Sequence, residues 1–223
     1  TLGVNRLAFA VADQLDAVGR ELSLGKTPQR IECLDVSHSM GESAVASCVV
    51  LGPEGPLKSD YRRFNLRNIT SGDDYAGIEQ AVERRFARVK RGEAPMPDLL
   101  LIDGGLGQLH AAMAALARVG VTDLAVVSVA KGSDRRAGQE RLFFPGQEAA
   151  LILADDSPAL RFIQRVRDEA HRFAITGHRQ SRDRSRRESW LEEIPGLGPK
   201  RRRELLKAFG GLQGIRQASV EDL

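Results

Sequence analysis

Long hydrophobic runs and the motifs of several common protein classes are missing from this sequence. No apolar stretch approaches the roughly 18 residues that a helix needs to cross a membrane. The opening segment, TLGVNRLAF, lacks the basic region and the apolar stretch of a signal peptide. Neither HExxH nor CxxC occurs, so zinc proteases and zinc fingers have no support. These absences favour a protein that acts without a membrane.

Cysteine is also scarce. The 223 residues include only Cys33 and Cys48, too few for a disulfide framework, and this usage fits the reducing cytoplasm. We interpret both as small packed hydrophobic residues on neighbouring strands. A chain of this length can bury a stable core without staples. Because the sequence does not begin with methionine, we expect it to be a piece of a longer chain.

Positive charge is concentrated near the end of the chain. The net charge is only +3, yet residues 172–207 contain eleven Lys or Arg and five Asp or Glu. The remainder is therefore slightly acidic. This asymmetry predicts a polyanionic partner at one end of the molecule, although Arg-rich runs also occur as solvated linkers.

The first part of the sequence predicts a helix and three antiparallel strands. Apolar residues spaced by three and four over residues 5–22 indicate an amphipathic helix. Residues 30–38 and 43–52 are typical of strands, and GPEGP closes a hairpin to a third strand over residues 57–66. A helix over residues 74–91 follows.

The middle of the chain alternates buried strands with helices. A continuously apolar strand over residues 97–105 ends in Asp and two glycines, and a helix over residues 106–119 leads to a second such strand over residues 123–132. Strands of this kind pair in parallel within a sheet that is covered on both faces. Residues 141–146 and 149–154 predict a further hairpin. Together these elements predict an α/β fold, an RNase H-like mixed sheet flanked by helices.

A domain boundary is predicted near residue 180. Ser157 and Pro158 begin a helix that should run to about residue 176, because serine caps helices and proline is favoured in their first turn. Polar sequence without apolar periodicity follows. We divide the chain into a lead-in helix over 1–29, an RNase H-like domain over 30–180, a basic linker over 181–189 and a small all-α segment over 190–223.

Two aspartates are candidates for a metal site. Asp35 lies in a strand at the predicted centre of the sheet, and Asp103 ends another strand. Ligands of α/β sheets gather at the carboxyl ends of strands, and two carboxylates there can share a divalent cation. Oxygen ligands suit Mg²⁺ or Mn²⁺, the ions used for phosphodiester cleavage. The alternative is that both aspartates cap loops or pair with arginines.

Histidine supplies a third candidate ligand. His171 lies in DEAHRFA, on the helix that begins at Pro158, beside Asp168 and Glu169. His38 follows Asp35 by three residues. A single helical histidine is more often structural than a metal ligand, so both interpretations are open at this point.

A basic loop over residues 130–142 is a candidate for binding nucleic-acid phosphates. It carries Lys131, Arg135 and Arg136 after a predicted strand. Arginine and lysine side chains can grip the phosphates of a nucleic-acid backbone. The alternative is a solvated turn.

IPGLGPKRRRELL is typical of a helix–hairpin–helix motif. Gly196 and Gly198 allow a tight turn and leave N–H groups free at the start of the next helix, where an anion is favoured. Lys200 and Arg201 add positive charge. The motif predicts DNA binding without sequence preference, and an ordinary turn between two helices is the alternative.

Taken in order, these segments resemble the C-terminal half of the UvrC family, the nuclease subunits of bacterial excinuclease ABC. They cover nearly the whole chain from residue 30 onward. The matching pieces are IECLDVSH, ASCVV, KSDYRRFN, GDDY, PDLLLIDGGLGQL, AKG with the arginine pair that follows, DEAHRFAITGHR and IPGLGPKRRRELLKAFGGL.

The resemblance implies an endonuclease that makes the 5′ incision beside a lesion in nucleotide excision repair. It places an Asp-Asp-His triad that binds Mg²⁺ or Mn²⁺ on Asp35, Asp103 and His171, with Asp74 of GDDY as a further acidic position. The implied partners are double-stranded DNA with a lesion and UvrB, with UvrA acting earlier. The family's N-terminal nuclease and its second hairpin have no counterpart in this sequence.

Two other functions compete with this one. A DNA-binding module without activity would keep the hairpin, but it would not need Asp35, Asp103 and His171 together. An RNase H or a junction resolvase would share the fold, yet these enzymes usually carry further carboxylates in place of the histidine. The residues present therefore favour the excinuclease.

Overall fold

A computed structural model of the chain describes residues 2–37, 44–70, 72–132, 139–192, 194, 196–210, 214–215 and 218–219. Contacts divide the chain into two units, Thr1–Ile175 and Thr176–Leu223. Within the described residues, no helix combines the length and the apolar character that a membrane span requires.

The first unit contains all the strands and most of the helices. The elements of the chain in order are α1 (Leu2–Glu21), β1 (Ile31–Ser37), β2 (Val45–Gly52), β3 (Gly55–Pro56), a 3₁₀ turn (Lys58–Asp60), β4 (Arg62–Asn65), α2 (Asp74–Lys90), β5 (Leu99–Asp103), α3 (Leu106–Arg118), β6 (Ala125–Ala130), β7 (Arg141–Phe143), α4 (Pro158–Glu192) and α5 (Pro199–Ala208). The last part of α4 and the whole of α5 belong to the second unit.

The strands form one mixed sheet in the order β3-β2-β1-β5-β6-β7, and β4 also pairs with β2. Strands β1, β5 and β6 are parallel, whereas β1 with β2 and β6 with β7 are antiparallel. The sheet flanked by helices confirms the predicted α/β fold class.

Side-chain alternation divides the core into two layers. Successive residues of a strand point to opposite faces of the sheet. Cys33 and Leu101 pack with α1 and α4, whereas Leu34 and Ile102 pack with α2 and α3. Because β5 and β6 are buried on both faces, their sequences, LLLID and AVVSVA, are almost continuously apolar rather than alternating.

The two cysteines are free and buried, as the sequence predicts. Cys33 lies on β1 and Cys48 on β2, and the strands are neighbours. The two side chains belong to the cores on opposite faces of the sheet. Their Cβ atoms therefore point apart, which is incompatible with a disulfide between them.

A buried ion pair ties β1 to α2. The Glu32 side chain is fully buried, and Arg85 donates to its two oxygens from Nε at 2.8 Å and from Nη2 at 2.5 Å. Arg30 adds a hydrogen bond of 3.0 Å from Nε to Oε1. Buried charges require such pairing, because an isolated carboxylate loses its hydration without compensation.

Two strands are shorter than the sequence predicts. The segment expected as a third antiparallel strand begins with the 3₁₀ turn Lys58–Asp60, and pairing with β2 starts only at Arg62. The hairpin expected over residues 141–154 is reduced to β7 and a single bridge between Leu142 and Leu151.

Helix α4 is longer than the sequence predicts. We expect an end near residue 176 and an irregular linker over 181–189, but the helix continues to Glu192. Residues 178–192 contain no proline or glycine and include five arginines, which favour helix formation. The missing apolar periodicity therefore marks a polar helix rather than an irregular segment.

Candidate active site

Asp35 and Asp103 lie on neighbouring parallel strands at the centre of the sheet. They directly follow Leu34 and Ile102, which are register partners, so the two aspartates occupy adjacent positions in one row. Alternation directs both side chains to the face covered by α4. Their exposed fractions are 10% and 18%, so both carboxylates are largely removed from water.

The carboxylate of Asp35 lacks a direct hydrogen-bond partner on one oxygen. Among the described residues, its buried Oδ2 accepts no hydrogen bond. Burial, together with the nearby negative charge of Asp103, raises the pKa of Asp35 to about 6. The His171 imidazole partly offsets this rise in pKa. Its Nδ1 lies 3.6 Å from Oδ2, which is close enough for electrostatic attraction but too long for a hydrogen bond.

His171 stands at the margin of the face that α4 packs on the sheet. Val166, Ala170 and Ala174 of this helix are buried in the core. The side chain of His171, next to Ala170, is 62% exposed and still reaches Asp35. The imidazole is therefore open both to the buried carboxylate and to a ligand from solvent.

Arg167 was not among the predicted site residues, but it contacts Asp103 directly. It donates to Asp103 Oδ1 from Nε at 2.9 Å and from Nη2 at 2.7 Å. Its Nη1 lies 3.9 Å from Oε1 of buried Glu140, and Gln164 donates to both oxygens of Glu140 at 3.0 Å. Because Arg167 precedes His171 by four residues, both lie on one side of α4.

The donor set of the site fits a divalent cation. Asp35 offers a buried oxygen without a hydrogen bond, and both bonds from Arg167 end on Oδ1 of Asp103, leaving Oδ2 for another ligand. Carboxylate oxygens and an imidazole suit Mn²⁺ and Mg²⁺. Among the residues that the structure describes, no three His, Cys, Asp or Glu side chains already converge as a ligand cluster. Asp103 is directed towards Arg167.

The other predicted residues near the sheet lie on different elements. Asp74 is the first residue of α2, in the helical layer that covers the opposite face from α4. Lys131 is exposed and follows β6, at the same carboxyl edge as Asp103. His38, Arg135 and Arg136 lie outside the described residues.

The predicted hairpin lies in the second unit. Gly196 has a φ of +83°, which favours glycine, and its carbonyl accepts a hydrogen bond of 3.4 Å from Arg201. Gly198 is the N-cap of α5, and Pro199 takes the first helical position. Lys200 and Arg201 are exposed in the first turn of α5. Positive charge and a helix N-terminus therefore occur together at this point.

Fold and site together define a class. A mixed sheet covered by helices on both faces, with carboxylates on two central parallel strands, is the arrangement of the RNase H-like class.

Sequence comparisons identify the family within this class. The model of the UvrC RNase H endonuclease domain matches residues 19–175. The UvrABC system protein C of Pseudomonas paraeruginosa (strain DSM 24068 / PA7) is 56% identical over 213 residues, which are 96% of this chain and 35% of that protein. The protein of the same name from Pseudomonas protegens is 55% identical over the same shares. The chain belongs to the UvrC family and contains its RNase H endonuclease domain, which confirms the resemblance in the sequence.

The chain spans about a third of the length of the curated relatives it matches. Among solved structures, it is similar to human endonuclease V, with 25% identity, 59% of each chain covered and a TM-score of 0.37. Endonuclease V of Bacillus subtilis is 12% identical over 70% of this chain and 84% of that one, also with a TM-score of 0.37. The family assignment rests on the sequence matches.

Proposed function

We propose that this chain is a metal-dependent DNA endonuclease that makes the 5′ incision beside a lesion in nucleotide excision repair. The observation that carries the proposal is the buried Oδ2 of Asp35. It accepts no hydrogen bond among the described residues, yet it faces the imidazole of His171 beside Asp103. A buried acceptor without a hydrogen bond requires a ligand. A cation fits this position, because the neighbouring groups are the carboxylate of Asp103 and the imidazole of His171.

Asp35, Asp103 and His171 would hold the metal ion. Mg²⁺ or Mn²⁺, when bound, polarises the scissile phosphate and stabilises the negative charge of the transition state. Asp35 and Asp103 supply the negative charge from the buried side of the site, and His171 supplies a nitrogen donor from the exposed side. Arg167 holds Asp103 in place and offsets part of the repulsion between the two carboxylates.

The second unit would bind DNA through the hairpin. The amides at the N-terminus of α5, after Gly198, suit a backbone phosphate, and exposed Lys200 and Arg201 add charge. In the first unit, exposed Lys131 at the carboxyl edge of the sheet would contact a DNA phosphate near Asp103. Such contacts give binding without sequence preference, which suits an enzyme that must cut beside lesions anywhere.

Lesion-bearing double-stranded DNA and UvrB are the proposed partners, with UvrA acting earlier. Family membership supports these partners, and the reduced cysteines fit the cytoplasm as the compartment. We expect the chain by itself to nick DNA weakly and without preference for damage. Incision beside a lesion should appear when UvrB has been loaded on the damaged DNA, and efficient lesion-specific cutting without UvrB would contradict this part.

Nicking of supercoiled plasmid in Mn²⁺ tests the proposal. Asp35→Asn, Asp103→Asn and His171→Ala should each lower the rate by about 100-fold or more, because each removes a ligand from a metal that stabilises the transition state. Asp168→Asn, which changes an exposed carboxylate on the same helix, is the matched control and should nick like the wild type. Circular dichroism would verify folding, and wild-type nicking by folded Asp35→Asn would overturn the proposal.

A further inference from the structure

Residues in and just before β4 contact the part of α4 that carries His171. Tyr61, just before the strand, donates from Oη to Glu169 Oε1 at 2.9 Å, and its ring meets Phe173 edge-on with centroids 5.1 Å apart. Arg63 donates from Nη2 to the carbonyl oxygen of Phe173 at 2.7 Å, and its guanidinium carbon lies 3.7 Å from the centre of the Phe173 ring. We call Tyr61 and Arg63 the β4 clamp.

The contacts of the β4 clamp bracket His171. Glu169 precedes the histidine by two residues and Phe173 follows it by two. The ring of His171 is 62% exposed, so packing around the ring does little to fix its position. The placement of the helix backbone must therefore set the distance between the imidazole and Asp35.

Arg63 of the β4 clamp shares one row of the sheet with Asp35. Arg63 is the register partner of Ser47, and Ser47 is the register partner of Asp35. The three side chains point to the face covered by α4, since residues in one row lie on one face. The fully buried Ser47 separates the two charged groups. The pairing register of β4, β2 and β1 therefore fixes the position of Arg63, which contacts α4, relative to Asp35.

We infer that Tyr61 and Arg63 are positioning residues that hold His171 at the distance from Asp35 that a shared divalent cation requires. The inference rests on the proposed metal-dependent function. Residues that orient metal ligands typically contribute 10- to 100-fold in metal affinity. The planar guanidinium both stacks on Phe173 and donates to its carbonyl, which a lysine ammonium cannot reproduce.

Mn²⁺ affinity of the full chain, measured by calorimetry, tests the inference. Arg63→Met keeps apolar contact with Phe173 but removes the hydrogen bond and the charge, and we expect affinity to fall about 10-fold. Tyr61→Phe deletes only the oxygen that contacts Glu169 and should give a smaller loss in the same direction. Arg84→Met is the matched control, because exposed Arg84 also donates to a backbone carbonyl, that of Asn65, and also stacks on a phenylalanine, Phe64, but on the opposite face of the sheet.

A double-mutant cycle separates positioning from general destabilisation. In a His171→Ala background, Arg63→Met should have no further effect on Mn²⁺ affinity, because the ligand that it positions is gone. An equal loss in both backgrounds would overturn the inference, and so would wild-type affinity of Arg63→Met and Tyr61→Phe. If Arg63→Met does not fold, Tyr61→Phe in both backgrounds decides the matter.

A readout without metal complements the cycle. In chelator, the imidazole Cε1–H resonance of His171, assigned with His171→Ala, should shift in Arg63→Met and stay in place in Arg84→Met. An unchanged resonance in Arg63→Met would contradict positioning, whatever the metal does. If the wild type binds no Mn²⁺ at Asp35, the proposed function fails; if it binds Mn²⁺ and the clamp variants do too, only this inference fails.

Discussion

Arg167 donates two hydrogen bonds to a single oxygen of Asp103, at 2.9 and 2.7 Å. Both side chains are largely buried, and a guanidinium keeps its charge under all conditions of interest. Arg167 therefore balances one of two adjacent carboxylates but leaves the second oxygen of Asp103 available. A divalent cation could bind the second oxygen of Asp103 while the hydrogen bonds from Arg167 to the first oxygen stay in place.

Loss of Arg167 should lower the nicking rate without weakening Mn²⁺ binding. Arg167→Met removes a positive charge next to Asp103, so Mn²⁺ affinity should stay the same or rise. The carboxylate also loses its fixed orientation, and nicking at saturating Mn²⁺ should fall about 10- to 100-fold. Calorimetry and nicking rates decide this, with exposed Arg161→Met on the same helix as the control. Weaker Mn²⁺ binding with an unchanged rate at saturation would contradict this role.

Stability without metal should depend on pH through Asp35. Its pKa is about 6 in the folded chain against an ordinary value of 3.8, so the folded state binds more protons between these values. The burial of Asp35 therefore costs nothing below about pH 4, and the cost grows to about 3 kcal/mol as the pH rises through 6. In chelator, Asp35→Asn should gain stability over the wild type across this window, as measured by urea unfolding. A constant difference from pH 4.5 to 7.5 would contradict the environment described for Asp35.

DNA binding should respond to changes at the start of α5. Gly198 has extended backbone angles and open space where a side chain would lie, so Gly198→Val should fold and still obstruct a phosphate. Lys200→Glu should weaken binding and reduce its salt dependence by about one counterion. Lys207→Glu, in the last turn of the same helix, is the control for charge alone. Gel-shift titrations at several salt concentrations measure these effects, and equal losses in both glutamate variants would argue against a phosphate site at the helix start.

The buried pair of Glu32 and Arg85 should dominate the stability of the α2 face. Arg85→Met leaves Glu32 buried with less compensation, and the free energy of unfolding should fall by about 3 to 5 kcal/mol. The double variant Glu32→Leu with Arg85→Leu should recover most of this loss. Arg88→Met breaks a surface pair with Glu93 and should change the free energy of unfolding far less, because solvent screens exposed charges. Urea unfolding at neutral pH compares the four proteins, and a similar cost for Arg85→Met and Arg88→Met would refute the ranking.

The position of Asp103 at the carboxyl end of a buried strand follows from the sequence, but its adjacency to Asp35 does not. Asp103 ends a continuous apolar run, which is typical of a buried parallel strand. Asp35 lies in IECLDVS, which is interrupted by Glu32 and is expected among the antiparallel strands, so the sequence does not name β5 as its neighbour. The sequence does not predict the contact of Arg167 with Asp103. A spacing of four residues from His171 places Arg167 on the same helix face, but helical arginines usually face water, and spacing does not name a partner on the sheet.

Neither the contacts of the β4 clamp nor the end of α4 can be predicted from the sequence, and the two reasons differ. Tyr61 and Arg63 alternate as strand residues should, yet their partners are more than a hundred positions away along the chain. Such contacts depend on how α4 packs on the sheet. The extension of α4 to Glu192 is missed because apolar periodicity detects only helices that bury one face.

A metal ion between Asp35 and His171 is the central feature of the proposed function. Anomalous diffraction from a crystal soaked in Mn²⁺ tests this most directly. We predict a peak within roughly 2.0 to 2.5 Å of Asp35 Oδ2 and of the His171 imidazole, with Oδ2 of Asp103 as a further ligand, and no such peak in Asp35→Asn. Mn²⁺ peaks confined to other places, with Asp35 and His171 still 3.6 Å apart and uncoordinated, would contradict the account.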